Sequence, residues 1–390
     1  MELLQPSRSE ARGKTRTLGA YYFFFFIAFG ALYPMLPLFL RENGLSGQQI
    51  GIITGIGPVM TVLFQPIWGM IVDRWQAQRL VLYVTLPTAG VLALLYPQVG
   101  GYVMFLVLFA AMSTFHSSTI PIIDSISLRT VQQHGGDYGS LRLWGAIGFA
   151  VASMFAGRMA DVTGLQAIFY IYAAAMFVCV LLTRSLPQES TRMEFQLLKG
   201  LGQLVRLPRF MVFLFGTFLI FGTIQANNSY YSIFFTAIGG NVAGVGLSFL
   251  IAAGSEAPVM KLAGRVISRT GLMWALVLSG LISALRWLFY GLEPAPMLVM
   301  SLLFVQGLSV GLFLPAAAQF VRDNTPTEIR VTALGIYSAI GNGLGSMAGT
   351  MVGGLLLDSV GIFGTYTVFG VASLVGVAAM FSLRFLPEKV

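Results

Sequence analysis

Four charged residues interrupt strongly apolar stretches of this 390-residue chain: Asp124, Arg142, Glu256 and Arg286. A charge near the middle of a bilayer costs roughly 2.5–3.5 kcal/mol on insertion scales, so such residues generally face the inside of a helix bundle and pair with one another. We therefore expect Asp124 to pair with Arg142, eighteen positions further on (142 − 124 = 18). We expect Glu256 to pair with Arg286 in the same way.

Such pairs could bind a solute and exchange a proton. Desolvation favours the neutral form of a carboxylic acid, and a neighbouring arginine favours the charged form. A solute that competes for the arginine would change the protonation of the acid, which is the linkage that proton coupling requires. Glu256 is the first candidate for the proton carrier and Asp124 the second. A purely structural ion pair, or an Arg286 that snorkels to the membrane surface, is the alternative.

The composition is that of a polytopic membrane protein. Hydrophobic residues make up 56% of the chain and charged residues 10%, against about 25% charged residues in soluble domains. The net charge of +8 does not indicate nucleic-acid binding, because the basic residues are not gathered on one soluble segment. Cys179 is the single cysteine and there are two histidines, which argues against a disulfide or a metal centre. We expect no cofactor and no enzyme activity; a membrane-embedded enzyme is a remote alternative.

Runs of about 20 apolar residues predict membrane-spanning helices. The sequence contains twelve such runs, numbered here as spans 1 to 12 in chain order: 18–40, 50–74, 80–97, 102–128, 139–159, 166–186, 210–237, 242–266, 272–290, 297–320, 331–357 and 364–386. The predicted fold is therefore an all-α membrane protein.

Polar stretches divide the predicted chain into a tail at 1–17, a six-helix bundle at 18–186, a linker at 187–209 and a second six-helix bundle at 210–390. The linker sequence MEFQLLKGLGQLVRL places leucines along one helical face. That pattern suits a short helix on the membrane surface, and a solvated linker is the alternative.

The orientation follows from the basic residues. Of the 23 Lys and Arg residues, 19 fall on the side of the predicted spans that holds the N-terminus. The positive-inside rule then places both termini in the cytoplasm. We expect a monomer in the inner membrane of a bacterium, with the lipid bilayer, protons and a small-molecule substrate as its partners.

The two predicted bundles repeat each other. Small residues recur every fourth position in span 5 and again in span 11, 197 residues later: Gly148, Ala152 and Ala156, then Gly345, Gly349 and Gly353. Asp161 and Asp358 keep the same offset. Because six spans are an even number, both halves cross the membrane in the same sense. Two parallel halves of this kind are the architecture of a rocker-type secondary transporter.

The loop after span 2 carries Gly69, Asp73, Arg74 and Arg79, and with it the chain resembles the major facilitator superfamily over essentially its whole length. The resemblance implies that this acid and base hold helix ends together at the cytoplasmic side and are released during gating. The sequence departs from the family pattern at Gln76, where a glycine is usual.

A second copy of this motif follows span 8. It keeps Gly264 and Arg269 but has Ser268 in place of the acid. A tight turn with positive-inside residues is the alternative interpretation of both copies.

The order of Asp124, Arg142, Gly145 and Phe149 resembles the lactose-permease and phenylpropionate-permease group. That resemblance implies substrate binding by Asp124 and Arg142 and a stacking wall at Phe149. It also implies that the acid of span 8 and the arginine of span 9, Glu256 and Arg286, serve substrate binding and proton coupling.

Span 10 departs from the lactose-type permeases, because Gln306 and Ser309 stand where those proteins have a histidine and a second acid. We count Gln306 among the substrate-binding candidates. The departures favour a less polar substrate, such as an aromatic acid. The expected function is proton-coupled symport of a small organic solute by alternating access. A drug or metabolite exporter and a sugar or nucleoside symporter are the alternatives.

Overall fold

The computed structural model describes residues 8–134, 137–186, 201–326 and 329–386, and its regular secondary structure in these ranges is helical. The helices of spans 1 to 6 are Arg8–Leu32 with Leu36–Glu42, Gly47–Trp75, Gln78–Leu95, Tyr102–His116 with Thr119–His134, Tyr138–Thr163 and Ala167–Thr183. Those of spans 7 to 10 are Pro208–Ala237, Val242–Thr270, Leu272–Tyr290 and Pro296–Leu302 with Leu312–Asp323, and spans 11 and 12 share the helices Arg330–Ser338 and Ser346–Ser382.

The described helices account for the twelve predicted crossings. Ten helical stretches are long and apolar enough to span a membrane, and Ala167–Thr183 is a shorter apolar helix. The last stretch, Thr332–Phe385, has 54 residues, or about 80 Å at 1.5 Å per residue, which far exceeds a hydrocarbon core of about 30 Å. Its backbone leaves helical geometry at Gly361 (φ 71°, ψ 177°), so it makes two crossings. Nine stretches, these two crossings and the shorter helix give twelve, and the predicted fold is confirmed.

The boundaries of the tail and of the linker differ from those that the sequence predicts. The first helix begins at Arg8, so residues 8–17 of the predicted tail continue span 1. Most of the predicted linker lies outside the described residues. Of its proposed surface helix the structure describes only one short turn, Leu201–Leu204. The division into tail, bundles and linker stays a prediction.

Span 10 is irregular where it passes span 8. Its backbone forms a π-helical turn at Gly307–Gly311, a feature that is frequent at functional sites. A β-carbon at Gly307 would lie 2.2 Å from the carbonyl oxygen of Ser255, and one at Gly311 would lie 2.9 Å from that of Glu256. The two glycines therefore let span 10 approach the turn of span 8 that carries Glu256.

The small-residue stripes of spans 5 and 11 pack against spans 1 and 7. A β-carbon at Gly148 would lie 2.2 Å from the carbonyl oxygen of Phe23, and one at Gly349 would lie 2.4 Å from that of Gly222. Close backbone approach of this kind is the usual role of small-xxx-small stripes. The internal repeat is therefore expressed as the same helix contact in both halves.

The halves meet at one end of the bundle. We name the end that holds residues 15–17 and 383–386 the terminus face, and the opposite end, with residues 43–46 and 358–361, the far face. Near the far face, β-carbons at Gly51 and Gly246 would lie 2.6 and 2.2 Å from carbonyl oxygens of the other half. Further towards the terminus face, one at Gly254 would meet nothing within 4 Å. The structure is thus closed at the far face, where spans 2 and 11 and spans 5 and 8 are in contact.

Candidate functional site

The first half carries a polar cluster around Asp124. Its Oδ2 lies 2.9 Å from Nη1 of Arg142, and its Oδ1 accepts a hydrogen bond of 2.5 Å from the Tyr22 hydroxyl. The same Nη1 donates to the Tyr138 hydroxyl at 3.1 Å. The expected pair is therefore present. The Arg142 side chain is 41% exposed and that of Asp124 is 22% exposed, so the guanidinium is accessible to a solute.

The second half carries a different arrangement, and the expected direct pair of Glu256 and Arg286 is wrong. Nε2 of Gln306 donates to Oε1 of Glu256 at 3.0 Å, and Oε1 of Gln306 accepts from Nη2 of Arg286 at 2.9 Å. The amide has both a donor and an acceptor, so it can satisfy both charged groups at once. The sequence could not show this, because hydropathy does not determine which residues of span 10 face Glu256 and Arg286.

Arg286 is buried rather than snorkelling to a surface, with 4% of the residue exposed. Its Nη2 also donates to the Tyr290 hydroxyl at 3.2 Å, and the guanidinium carbon lies 5.0 Å from the ring centre of Trp287. Cation–π contact of this kind is stronger for a desolvated cation. The residue is thus held from several sides, and Gln306 links it to Glu256.

The ring contact of Phe149 gives the relative position of the two clusters. Its ring meets that of Phe249 edge-on, with 6.2 Å between the ring centres, across the contact of spans 5 and 8. Arg142 and Glu256 each lie seven residues from their phenylalanine, towards the terminus face, which is about 10 Å along a helix and returns to nearly the same side. Both charged residues therefore lie on the sides of their helices that carry the aromatic pair, closer to the terminus face.

A shallow recess lies beside Gln306 and Phe249 in the second half. Its lining includes Asn227, Asn228, Tyr231, Ser248, Phe249, Ala252, Leu303 and Gln306. The polar members are neutral and offer hydrogen-bond donors and acceptors together.

Sequence reasoning missed most of this lining and named only Gln306 as a candidate. Two adjacent asparagines in the middle of the apolar span 7 were the signal that could have found the recess, since polar residues inside a membrane span are expensive and mark pathways.

The predicted gating residues lie at the terminus face. Gly69 is buried, Asp73 is half-buried and Arg74 is exposed. Gln76 ends the helix in the left-handed region (φ 50°, ψ 34°), which explains why a glycine is usual there. Nη2 of Arg79 donates to the carbonyl of Leu186, a contact within the first half.

The residues of the second copy of this motif are more exposed than those of the first. Gly264 and Arg269 are both exposed, and a β-carbon at Gly264 would meet nothing within 4 Å. Gly69, in contrast, is buried. The gating role of either copy stays a prediction.

Asp73→Asn should reduce solute uptake by about tenfold or more while the protein stays folded, because gating loses a charge-assisted contact. Uptake into proteoliposomes, compared with the melting temperature of the purified protein, checks this. Asp323→Asn, at the end of span 10 on the same face, is the matched control and should transport normally. Normal uptake by a folded Asp73→Asn variant would remove the latch from the mechanism.

Comparison with known proteins agrees with this architecture. A family model described as the MFS_1 like family matches residues 15–368. A maltose permease of Geobacillus stearothermophilus is 40% identical over 371 residues, which cover 93% of this chain and 93% of that protein. A protein of Escherichia coli (strain K12) named "Probable 3-phenylpropionic acid transporter" is 24% identical over 377 residues, covering 94% of this chain and 96% of that protein.

The crystal structure of the nucleoside transporter NupG superposes with a TM-score of 0.86 at 20% identity, covering 96% of this chain and 99% of that one. At this identity the likeness shows the fold alone. A family model that spans most of the chain, together with a relative 40% identical over nearly all of it, shows that the chain belongs to the MFS_1 like family: it is a multi-pass membrane transporter of the major facilitator fold and not an enzyme.

Proposed function

We propose that this protein is a proton-coupled symporter of a small polyhydroxylated solute of the maltose class. The observation that carries the proposal is the recess beside Gln306, whose polar lining is neutral and whose walls include Tyr231 and Phe249. Sugar hydroxyls both donate and accept hydrogen bonds, as amides and hydroxyls do, and the apolar face of a sugar ring packs on an aromatic side chain. The name of the relative that is 40% identical agrees with this class.

The same geometry supports a route for coupling. Gln306 both lines the recess and donates to Glu256. A solute hydroxyl that takes over the amide of Gln306 would remove a hydrogen bond that favours the charged form of Glu256. In this proposal, solute binding and protonation of Glu256 therefore favour each other, as linkage requires.

An aromatic acid is the second candidate. The observation that favours it is the accessible guanidinium of Arg142, which could bind a carboxylate, two turns from the ring of Phe149. The relative named for 3-phenylpropionic acid is 24% identical. Against it, Arg142 already contacts Asp124, and a carboxylate would have to displace that acid. An exporter of similar solutes is the alternative for the direction of transport.

The experiment is a thermal-shift screen of the purified protein with maltose, other sugars, nucleosides and aromatic acids, followed by uptake into proteoliposomes with a pH gradient. We expect maltose or a related sugar to raise the melting temperature and to accumulate. The proposed setting is a monomer in a bacterial inner membrane with both termini cytoplasmic. Stabilisation by aromatic acids alone would overturn the sugar proposal.

Asn228→Ala should weaken sugar binding by about tenfold, since a hydrogen bond contributes roughly 0.5–1.5 kcal/mol and the partner group is left unpaired. Asn228 is exposed in the recess and its amide contacts Gln225, so the fold should not depend on it. The shift of melting temperature with sugar concentration measures the affinity. Asn43→Ala, at the far face, is the control and should bind as the wild type does. Equal affinity in both variants would place the solute elsewhere.

A further inference from the structure

A carboxylate of the second half caps a helix of the first half at the far face. Oδ1 of Asp358 accepts a hydrogen bond of 2.6 Å from the backbone N–H of Gly47, and Oδ2 accepts one of 2.8 Å from that of Gln48. These are the first two residues of the helix of span 2. The first N–H groups of a helix have no partner within it, and the positive end of the helix dipole attracts an anion.

The backbones of the two helices touch below this cap. A β-carbon at Gly354 would lie 2.2 Å from the carbonyl oxygen of Gly47, and one at Gly51 would lie 2.6 Å from that of Thr350. Asp358 therefore stands at the end of a tight seam between spans 2 and 11. Any conformation that opens the far face between these spans must break both of its hydrogen bonds.

The internal repeat supplies a weaker counterpart. Asp161, at the equivalent position of span 5, accepts one hydrogen bond of 3.3 Å from the side-chain amide of Asn241. Asn241 itself caps span 8 through the backbone N–H of Gly244 at 2.9 Å. The first half thus reaches span 8 through a neutral residue, whereas Asp358 reaches the N–H groups of span 2 directly.

We propose that Asp358 is the gate residue of the far face: its charge on the N-terminus of span 2 stabilises the closed state, and releasing this cap is the main polar cost of opening. The proposal concerns the conformational cycle and does not depend on which solute is carried. Removing the charge should shift the population towards a state that is open at the far face. The size of the shift is set by the free energy with which this charge stabilises the closed state relative to the open one.

The test measures the labelling of a cysteine in the seam by a water-soluble maleimide. Thr350, 2% exposed, faces Gly55 across the seam, so Thr350→Cys in a Cys179→Ser background reports opening. Asp358→Asn should raise the labelling rate roughly fivefold, since charge–dipole contacts at exposed helix ends contribute up to about that factor. Asp161→Asn is the matched neutralisation in the other half and should change the rate much less.

The native Cys179, fully buried, reports unfolding when each variant is made without the other cysteine changes. It should stay unreactive in Asp358→Asn. If it becomes reactive, the same labelling comparison on Asp358→Ser decides. An unchanged labelling rate in the folded variant, or an equal increase in Asp161→Asn, would overturn the proposal.

Discussion

Glu256→Gln should abolish solute accumulation driven by a pH gradient while exchange of solute across the membrane continues. The glutamine keeps an oxygen that can accept from Nε2 of Gln306, which now donates to Oε1 of Glu256 at 3.0 Å. The fold and the link to Arg286 should therefore survive. The variant loses only the site that binds and releases the coupled proton. Exchange of solute should continue, because exchange requires no net release of protons.

Proteoliposomes with a pH difference of one unit measure this effect. A symporter that moves one proton with each solute can reach about tenfold accumulation, because 1.4 kcal/mol corresponds to a factor of ten. The variant should reach the external concentration only. Glu293→Gln, which neutralises an exposed acid at the far face, is the matched control and should accumulate solute normally. Accumulation by Glu256→Gln at the wild-type level would exclude Glu256 as the proton carrier.

Neutralising Asp124 and Arg142 together should leave the protein folded but stop transport. Removing one member of a fully buried pair costs about 3–5 kcal/mol, because the other charge stays desolvated. Here both side chains are partly exposed, so each single variant should lose less than that. Asp124→Asn with Arg142→Gln should then have a melting temperature close to that of the wild type.

The loss of transport separates a substrate site from a structural ion pair. If the pair only holds spans 4 and 5 together, the double variant should transport at the wild-type rate. If the guanidinium binds solute, transport should fall by about a hundredfold, and Arg142→Lys should fail too, because a lysine cannot form a forked contact. Both hydrogen bonds of Arg142 use Nη1, which leaves the rest of the guanidinium edge to a solute. Tyr138→Phe removes a hydroxyl that Arg142 contacts but keeps both charges, so it is the control for the position of Arg142. Wild-type transport by the double variant would show that these charges have a structural role only.

The crossings and their repeat could be predicted without coordinates. Hydropathy adds up along the chain, and a helix satisfies its own backbone groups, so an apolar run predicts a span from its own residues. The close helix contacts at Gly148 and Gly349 could also be predicted from the spacing of the small residues. A small residue lets the backbone of a neighbouring helix approach, whichever helix that is. The break at Gly361 falls between the predicted spans 331–357 and 364–386.

The partners of the intramembrane charges were only half predictable. The pair of Asp124 and Arg142 joins neighbouring spans, so the cost of an unpaired charge was enough to predict it. For Glu256 and Arg286 the same argument predicted a direct contact, and it was wrong because a third residue, Gln306, satisfies both. The cost of burying a charge applies to each charged residue separately, and it does not predict which polar group that residue will contact.

The sequence by itself therefore determined the membrane class, the twelve spans, the repeat and the set of residues that are costly to bury. Only the tertiary structure decided the recess at Asn228, the edge contact of Phe149 with Phe249, and the cap of Asp358 on Gly47, 311 positions away. Hydropathy fixes where a helix lies along the membrane normal but leaves its rotation about its own axis open. That rotation is set by packing against helices distant in sequence, and it decides which side chains meet.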